Sequence, residues 1–341
     1  KLEVTDPLFD TPVPERAVMA VMTSGTTGIP KILFRSFESW ADFFAIQNAV
    51  FGVDADSRLF VQGSLAFTGN LNLYMGQLAA GGTLIAEDVF LPGKWEQVMA
   101  HERANGIYLI PSKLLMLPRV FKGVNANIRT IISGSQSLGR KDAEVLKKIF
   151  PNTEITLYYG ASELNYITYV KSADMTEERN LIGKPFPGVR VFIQDDEMYV
   201  DNAFHVENIT VPYSLKDSGR MDLQGNFYFL GRTDDIVGVR GRKVSMMKIE
   251  NALEEVAGIT EAAVVLLPKE KDADMPAEIV SAFVTVEGTD VPENLRQQLK
   301  GKLADFEIPK RVIALEALPK NTSGKVDKAR LKKMWIEQEP Q

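Results

Sequence analysis

A chain of 341 residues with 45% hydrophobic content has room for two folded domains and a sizeable core. Its net charge of −6 offers no positive field for nucleic acid or anionic lipid; it holds no cysteine for a disulfide, a thiolate metal site or a nucleophile; and its 2 histidines, His101 and His205, leave little material for general-base chemistry. No apolar run approaches the ~20 residues that span a bilayer, and the opening KLEVTDPLFD is acidic rather than signal-like, so a cytoplasmic protein with neither nucleic acid nor membrane as partner is expected.

In chain order, the apolar run AVMAVM (17–22) leads into TSGTTGIPK, from Thr23 to Lys31. Helix-like ESWADFFAIQNAV, strand-like RLFVQG, helix-like NLYMGQLAAGG, strand-like TLIAE and helix-like KWEQVMAHERA follow, then GIYLI, RTIISG, RKDAEVLKKIF and EITLYYG up to Gly160. Short β-rich runs alternating with longer helical patterns predict an α/β architecture with a substantially parallel sheet. Between Gly183 and Gly231 the pieces VRVFIQDDEMYV and NFYFLG, set among turn residues, predict a small β-rich segment. Past GRTDDIVGVRG, the run of helix MKIENALEEV, strands EAAVVLLP and EIVSAFVTV, helix ENLRQQLKGKL and strand RVIAL predicts a compact second domain of about 100 residues. The polar Asp234–Asp235 pair marks the expected boundary, giving domains 1–234 and 235–341.

The TSGTTGIPK stretch carries the first chemistry. Gly25 and Gly28 let backbone N–H groups approach an anion, the hydroxyls of Thr23, Ser24, Thr26 and Thr27 add donors, and Lys31 adds charge, a set that suits a polyphosphate; a plain turn reads the same locally. Walker spacing is absent, Pro30 precedes the lysine, and the helical pattern starts only near Ser36. A loop clamp is therefore expected rather than a cradle at a helix terminus.

This stretch resembles the phosphate-loop signature of the adenylate-forming superfamily, which includes acyl-CoA synthetases, aryl acid ligases, peptide-synthetase adenylation domains and luciferases. Four further stretches match in the same order: YYGASE (Tyr158 to Glu163), IGKPFPG (Ile182 to Gly188), KDSGRMDLQGNFYFLGRTDDIVGVRGRKV (Lys216 to Val244) and LPKNTSGKVDKARL (Leu318 to Leu331). Five ordered matches are far more specific than any one alone. The resemblance implies an α/β adenylate-forming fold, with a large α/β N-terminal domain lacking the usual front portion and a small α+β C-terminal domain. It also implies ATP, Mg²⁺ and coenzyme A as cofactors and a small carboxylic acid as substrate, activated to an acyl-adenylate with release of pyrophosphate and then converted to a thioester.

Roles follow position by position from the resemblance. Glu163 is expected to hold Mg²⁺, and Ser162 keeps the hydroxyl that the family's threonine places near the α-phosphate. Asp217 falls on the aspartate that accepts both ribose hydroxyls, as paired carboxylate oxygens can; the usual Thr-Gly before it is here Leu215 and Lys216. Arg232 matches an arginine on ribose or phosphate. Gly134, Ser135 and Gln136 sit where backbone passes adenine, with Tyr159 counted as nucleotide-binding too. Lys325 falls on the catalytic lysine, whose long stem carries a compact charge to the α-phosphate, although it lies in a basic run with Lys320, Lys328, Arg330, Lys332 and Lys333. Asp234 matches the hinge of the mobile domain, with Gly241 and Lys243 on the loop that turns toward a pantetheine arm.

In amino-acid-activating relatives an aspartate after a phenylalanine neutralises the substrate ammonium; here Thr68 follows Phe67, and an ammonium buried without a carboxylate is costly. An acyl or aryl acid is expected instead, in a pocket lined from Phe67 to Asn72 and from Tyr158 to Ala161, with Phe67, Thr68, Gly160 and Ala161 as its candidates. Phe67 and Tyr159 read equally well as core. The acceptor is expected to be coenzyme A, with two alternatives: an acyl carrier protein, or a nucleotide-binding relative that does not turn over. Only residues 1–22 precede the phosphate loop, so the chain is either a minimal member of the family or one whose front half lies elsewhere.

Overall fold

The computed structural model describes residues 12–23, 31–65, 68–233, 236–239, 242–269, 278–288, 290–320 and 326–337, without the side chains of Thr23, Ile236 and Lys243. Strands β1 (Ala17–Thr23) and β2 (Lys31–Ser36) form an antiparallel hairpin, with Thr23 opposite Lys31. The sequence reading did not find β2. Its KILFRS is buried from Leu33 to Ser36 on both faces, so it lacks the alternation that marks a strand. Helix α1 (Phe37–Phe51) starts where the Ser36 hydroxyl accepts from the Ser39 N–H, and it stops at Gly52, whose left-handed φ of 66° suits glycine.

The α/β alternation then runs β3 (Arg58–Gln62), α2 (Thr68–Ala79), β4 (Thr83–Glu87), α3 (Pro92–His101), β5 (Gly106–Tyr108), two short helices α4 (Pro111–Leu114) and α5 (Leu117–Val120), β6 (Thr130–Gly134), α6 (Arg140–Ile149) and β7 (Glu154–Ala161). Strands β8 (Asn165–Lys171), β9 (Leu181–Pro185), β10 (Arg190–Gln194), β11 (Glu197–Asp201), β12 (Tyr213–Met221) and β13 (Phe227–Arg232) follow without helices. All of β3–β13 belong to one 11-stranded sheet, ordered β10-β11-β12-β13-β9-β8-β7-β6-β5-β3-β4. The parallel sheet expected from the sequence spans β4-β3-β5-β6-β7. The β-rich segment extends that sheet, with β7/β8, β8/β9 and β13/β9 antiparallel, and is no separate body.

Parallel strands covered on both faces read as unbroken apolar runs. Ile107, Ile131 and Ile155 face one core with Trp95 and Leu146, while Leu59, Val61, Ile132 and Tyr158 face the other with Phe43 and Phe51.

Beyond β13 come β14 (Ile236–Val239), β15 (Arg242–Ser245), α7 (Met246–Glu254), β16 (Ile259–Pro268), β17 (Glu278–Val286), α8 (Leu295–Leu299), β18 (Arg311–Ala314) and α9 (Lys328–Glu337). β16 pairs antiparallel with β17, which pairs parallel with β18, and Ile249, Leu253, Val264 and Ala282 fill the core against α7. The helix read over 293–303 is only the five residues of α8, and α9 went unread behind its basic residues. The described residues form two compact units: those up to 215 together with 219–229, and 216–218 together with those from 230 onward.

Candidate active site

In the first unit Gly134, Ser135, Gln136 and the residues from Tyr159 to Glu163 lie at the C-terminal ends of the parallel strands β6 and β7, the edge where open α/β sheets bind ligands, while Thr23 and Lys31 sit in the β1–β2 hairpin. The turn from β7 to β8 holds Ser162 and Glu163. Its shape is fixed locally: a Cβ on Gly160 would stand 2.6 Å from the Asn165 carbonyl oxygen, and Asn165 itself takes a left-handed φ of 67°, which asparagine tolerates. The Asn165 side chain accepts from the Tyr166 N–H at 3.1 Å and from Asn72 Nδ2 at 2.7 Å, tying the turn to α2.

At the first residue of α2, Thr68 Oγ1 lies 3.0 Å from Ser162 Oγ. Two residues singled out from separate motifs thus meet. Behind them stands Arg35 of β2, which the sequence reading missed. Fully buried, it donates from Nη2 to the Ser162 carbonyl at 2.8 Å and from Nη1 to the carbonyls of Phe204 at 2.8 Å and Ser39 at 3.3 Å. Burial pulls its pKa down to about 10, opposed by the nearby Glu163 carboxylate. The one signal for it was a charged residue inside an otherwise apolar run, where an unpaired cation is expensive. The Glu163 carbonyl accepts from the Val206 N–H at 2.9 Å.

The Glu163 carboxylate enters no hydrogen bond or ion pair among the described residues, and no cluster of three or more His, Cys, Asp or Glu side chains there could hold a metal unaided. A carboxylate at the residue after Ser162, with no hydrogen bond among the described residues, fits a hard cation such as Mg²⁺, which keeps most of its shell from water and substrate phosphates.

Gly134 ends β6 directly under the Tyr158 ring, Ser135 takes a left-handed φ of 69°, and Gln136 Oε1 accepts from the Ser112 N–H of α4 at 2.9 Å. Half-buried Tyr159 has its ring 5.8 Å from that of Phe229. Lys31 is exposed at the start of β2. Of the expected pocket residues, Thr68 is buried, Gly160 exposed and Ala161 half-buried against the core.

In the second unit Asp217 is almost wholly buried, with Arg232 Nε 3.5 Å from its Oδ1 and the arginine half-exposed. Lys216, standing where the resembled motif has glycine, takes a left-handed φ of 62°, and its carbonyl accepts from Thr233 Oγ1 at 3.0 Å. The loop therefore keeps its glycine-like turn without the glycine, at the cost of backbone strain. Lys243 lies in β15 with its backbone opposite Gly238. Ser24, Gly25, Thr26, Thr27, Gly28, Phe67, Asp234, Gly241 and Lys325 lie outside the described residues. Among the described residues no helix is long and apolar enough to cross a membrane.

A family model for AMP-binding enzymes matches residues 3–203, and a second, for the AMP-binding enzyme C-terminal domain, matches residues 248–325. A relative from Bacillus subtilis (strain 168), named an uncharacterized acyl–CoA ligase, YhfT, is 27% identical over 348 residues, covering 96% of this chain and 70% of the relative. Among solved structures, the amide bond synthetase McbA from Marinactinospora thermotolerans superposes with a TM-score of 0.82 at 23% identity over 94% of this chain and 69% of that one. MatB from Rhodopseudomonas palustris, solved with ATP bound, gives a TM-score of 0.80 at 24% identity over 93% and 68%. At such identities the two structures share the fold with this chain.

Proposed function

The chain belongs to the AMP-binding enzyme family, and on that premise we propose that it activates a carboxylic acid with ATP and passes the acyl group to coenzyme A. A carboxylate oxygen attacks the α-phosphorus, the bond to the β-phosphate oxygen breaks, and pyrophosphate leaves. The coenzyme A thiolate then attacks the acyl carbon, AMP leaves with the bonding pair, and the thiol proton goes to solvent. Positioning and electrostatics carry such a phosphoryl displacement.

The loop from Thr23 to Lys31 is assigned to the β- and γ-phosphates, Asp217 with Arg232 to the ribose, and Gly134, Ser135, Gln136 and Tyr159 to the base. Ser162 orients the α-phosphate, and Glu163 with the neighbouring hydroxyls holds Mg²⁺, which when bound neutralises charge on the phosphate oxygens. Lys325, in a domain taken to begin after Asp234, reaches the carboxylate and α-phosphate oxygens, and Gly241 and Lys243 meet the pantetheine arm after rotation about Asp234. The absence of a carboxylate at Thr68 favours an acid without an α-ammonium. The observation that carries the reading is the Thr68–Ser162 hydroxyl pair, 3.0 Å apart, in the turn whose next residue is Glu163.

Pyrophosphate release from MgATP across a panel of acids, with and without coenzyme A, tests it. Expected is acid-dependent release that coenzyme A accelerates and that falls by about 10³-fold in Lys325→Ala, the scale of losing a charge contact made in the transition state. Release indifferent to coenzyme A moves the acceptor to an acyl carrier protein, and nucleotide binding without any release removes the ligase.

A further inference from the structure

Of the two segments expected to enclose the acid, the described residues 68–72 and 158–161 meet at Gly69, where the Tyr158 and Tyr108 rings lie under the backbone. The first turn of α2 comes down over the ends of β5, β6 and β7 at Gly69. A Cβ on Gly69 would lie 3.0 Å from the Tyr158 hydroxyl and 3.3 Å from that of Tyr108, and a Cβ on Gly134 would lie 2.4 to 2.7 Å from three ring carbons of Tyr158. Both glycines are therefore bare where the ring passes. Tyr166 donates its hydroxyl to the Gly69 carbonyl at 3.1 Å, and the Tyr108 and Tyr158 hydroxyls share a hydrogen bond at 2.8 Å. Tyr108, Tyr158 and Tyr166 are only 5%, 7% and 2% exposed.

The Tyr158 ring has little freedom to swing aside. Its centroid lies 4.4 Å from that of Tyr166 and 6.0 Å from that of Phe51, and it runs within 15° of parallel to Tyr108. Moving it would break the shared hydrogen bond and open a void in a close-packed core. Burial pushes its phenol up to about 12 and raises those of Tyr108 and Tyr166 well above the usual value, so all three remain neutral donors at physiological pH.

We propose that Tyr158, backed by Tyr108, closes the floor of the acid pocket and restricts the substrate to short-chain carboxylic acids. The inference rests on the adenylating reading above and names the substrate class of that same site. A longer or aromatic acid would have to occupy the volume of a buried ring. Sharing one hydrogen bond also leaves one of the two phenolic protons without an acceptor among the described residues, so the floor is polar as well as shallow.

The test is kcat/KM for pyrophosphate release with acetate, propionate, butyrate, octanoate and benzoate, in wild type, Tyr158→Ala, Tyr158→Phe and Tyr108→Ala. In wild type, octanoate and benzoate are expected to fall on the order of 10²-fold below butyrate. Tyr158→Ala raises the octanoate-to-butyrate ratio by at least about 10-fold, and Tyr158→Phe, which keeps the ring, keeps the cut-off. Should Tyr158→Ala lose its near-UV circular dichroism, Tyr108→Ala and the wild-type profile decide. Wild type handling octanoate or benzoate as well as butyrate overturns the short-acid inference and leaves the ligase standing. No turnover with any acid removes both.

Discussion

At the β7–β8 turn every side is braced: Arg35 holds the Ser162 carbonyl, Thr68 its hydroxyl, Val206 the Glu163 carbonyl and Asn72 the Asn165 side chain. At Asp217 the carboxylate is more deeply buried than that of Glu163, and Arg232 stands 3.5 Å from it in a half-exposed position, beside a strained Lys216. The first arrangement is preorganised, with neighbours fixed before any substrate arrives. The second leaves an arginine that can re-aim. On the proposed assignment the first region meets a reacting phosphorus and gains from rigidity, because reorganisation then adds nothing to the barrier. The second, assigned to a ribose, gains mainly affinity and tolerates slack.

Glu163→Gln gives the largest expected effect. It should lower turnover about 10²- to 10³-fold with only a small drop in melting temperature, because the carboxylate faces the buried Arg35 charge without a hydrogen bond to it among the described residues; a drop as large as that of Arg35→Met would show that Glu163 is structural. Next comes Arg35→Met, which strips the donors from the Ser162, Phe204 and Ser39 carbonyls. A loss of about 3 kcal/mol in denaturant unfolding is expected, with turnover reduced at saturating substrate, whereas an unchanged midpoint would mean that the turn holds itself.

Asp217→Asn should be milder, raising the KM for ATP about 10-fold with kcat largely kept; a kcat effect as large as that of Glu163→Gln would erase the contrast between the two regions. Arg232→Lys, which keeps a positive charge facing the buried Asp217 carboxylate, should move ATP affinity by only a few-fold, and a loss as large as that of Asp217→Asn would show that the guanidinium fork itself is required.

The smallest effect near neutrality lies with the buried phenols. Their folded pKa values are raised, that of Tyr158 to about 12, so their contribution is fully present below pH ~10 and is lost as pH rises through the folded values. Alkaline unfolding and phenolate absorbance should therefore appear together above pH ~10, and phenolate signal from Tyr108, Tyr158 and Tyr166 in still-folded protein would contradict their burial.

Much of the fold was readable because its signals are local. RTIISG and EITLYYG are apolar runs of strand length, and RKDAEVLKKIF is strongly amphipathic, so β6, β7 and α6 follow from periodicity. β2 escaped because both its faces are covered, and α9 because its basic residues hid the single buried Leu331. The site was legible as an inventory: Ser162, Glu163 and Asp217 stand in recognisable strings. Arg35 was not, since an arginine in a strand announces nothing until its partners are known.

By itself, then, the sequence determined the α/β alternation, the chemical groups and the family, because residue type and short-range spacing are properties of the chain. Tertiary structure alone decided that Thr68 meets Ser162 across 94 positions, that Arg35 lies behind both, and that three tyrosines from β5, β7 and β8 converge on one glycine of α2. Such contacts arise from how strands pack under a helix, and they depend on the shape of every neighbour at once.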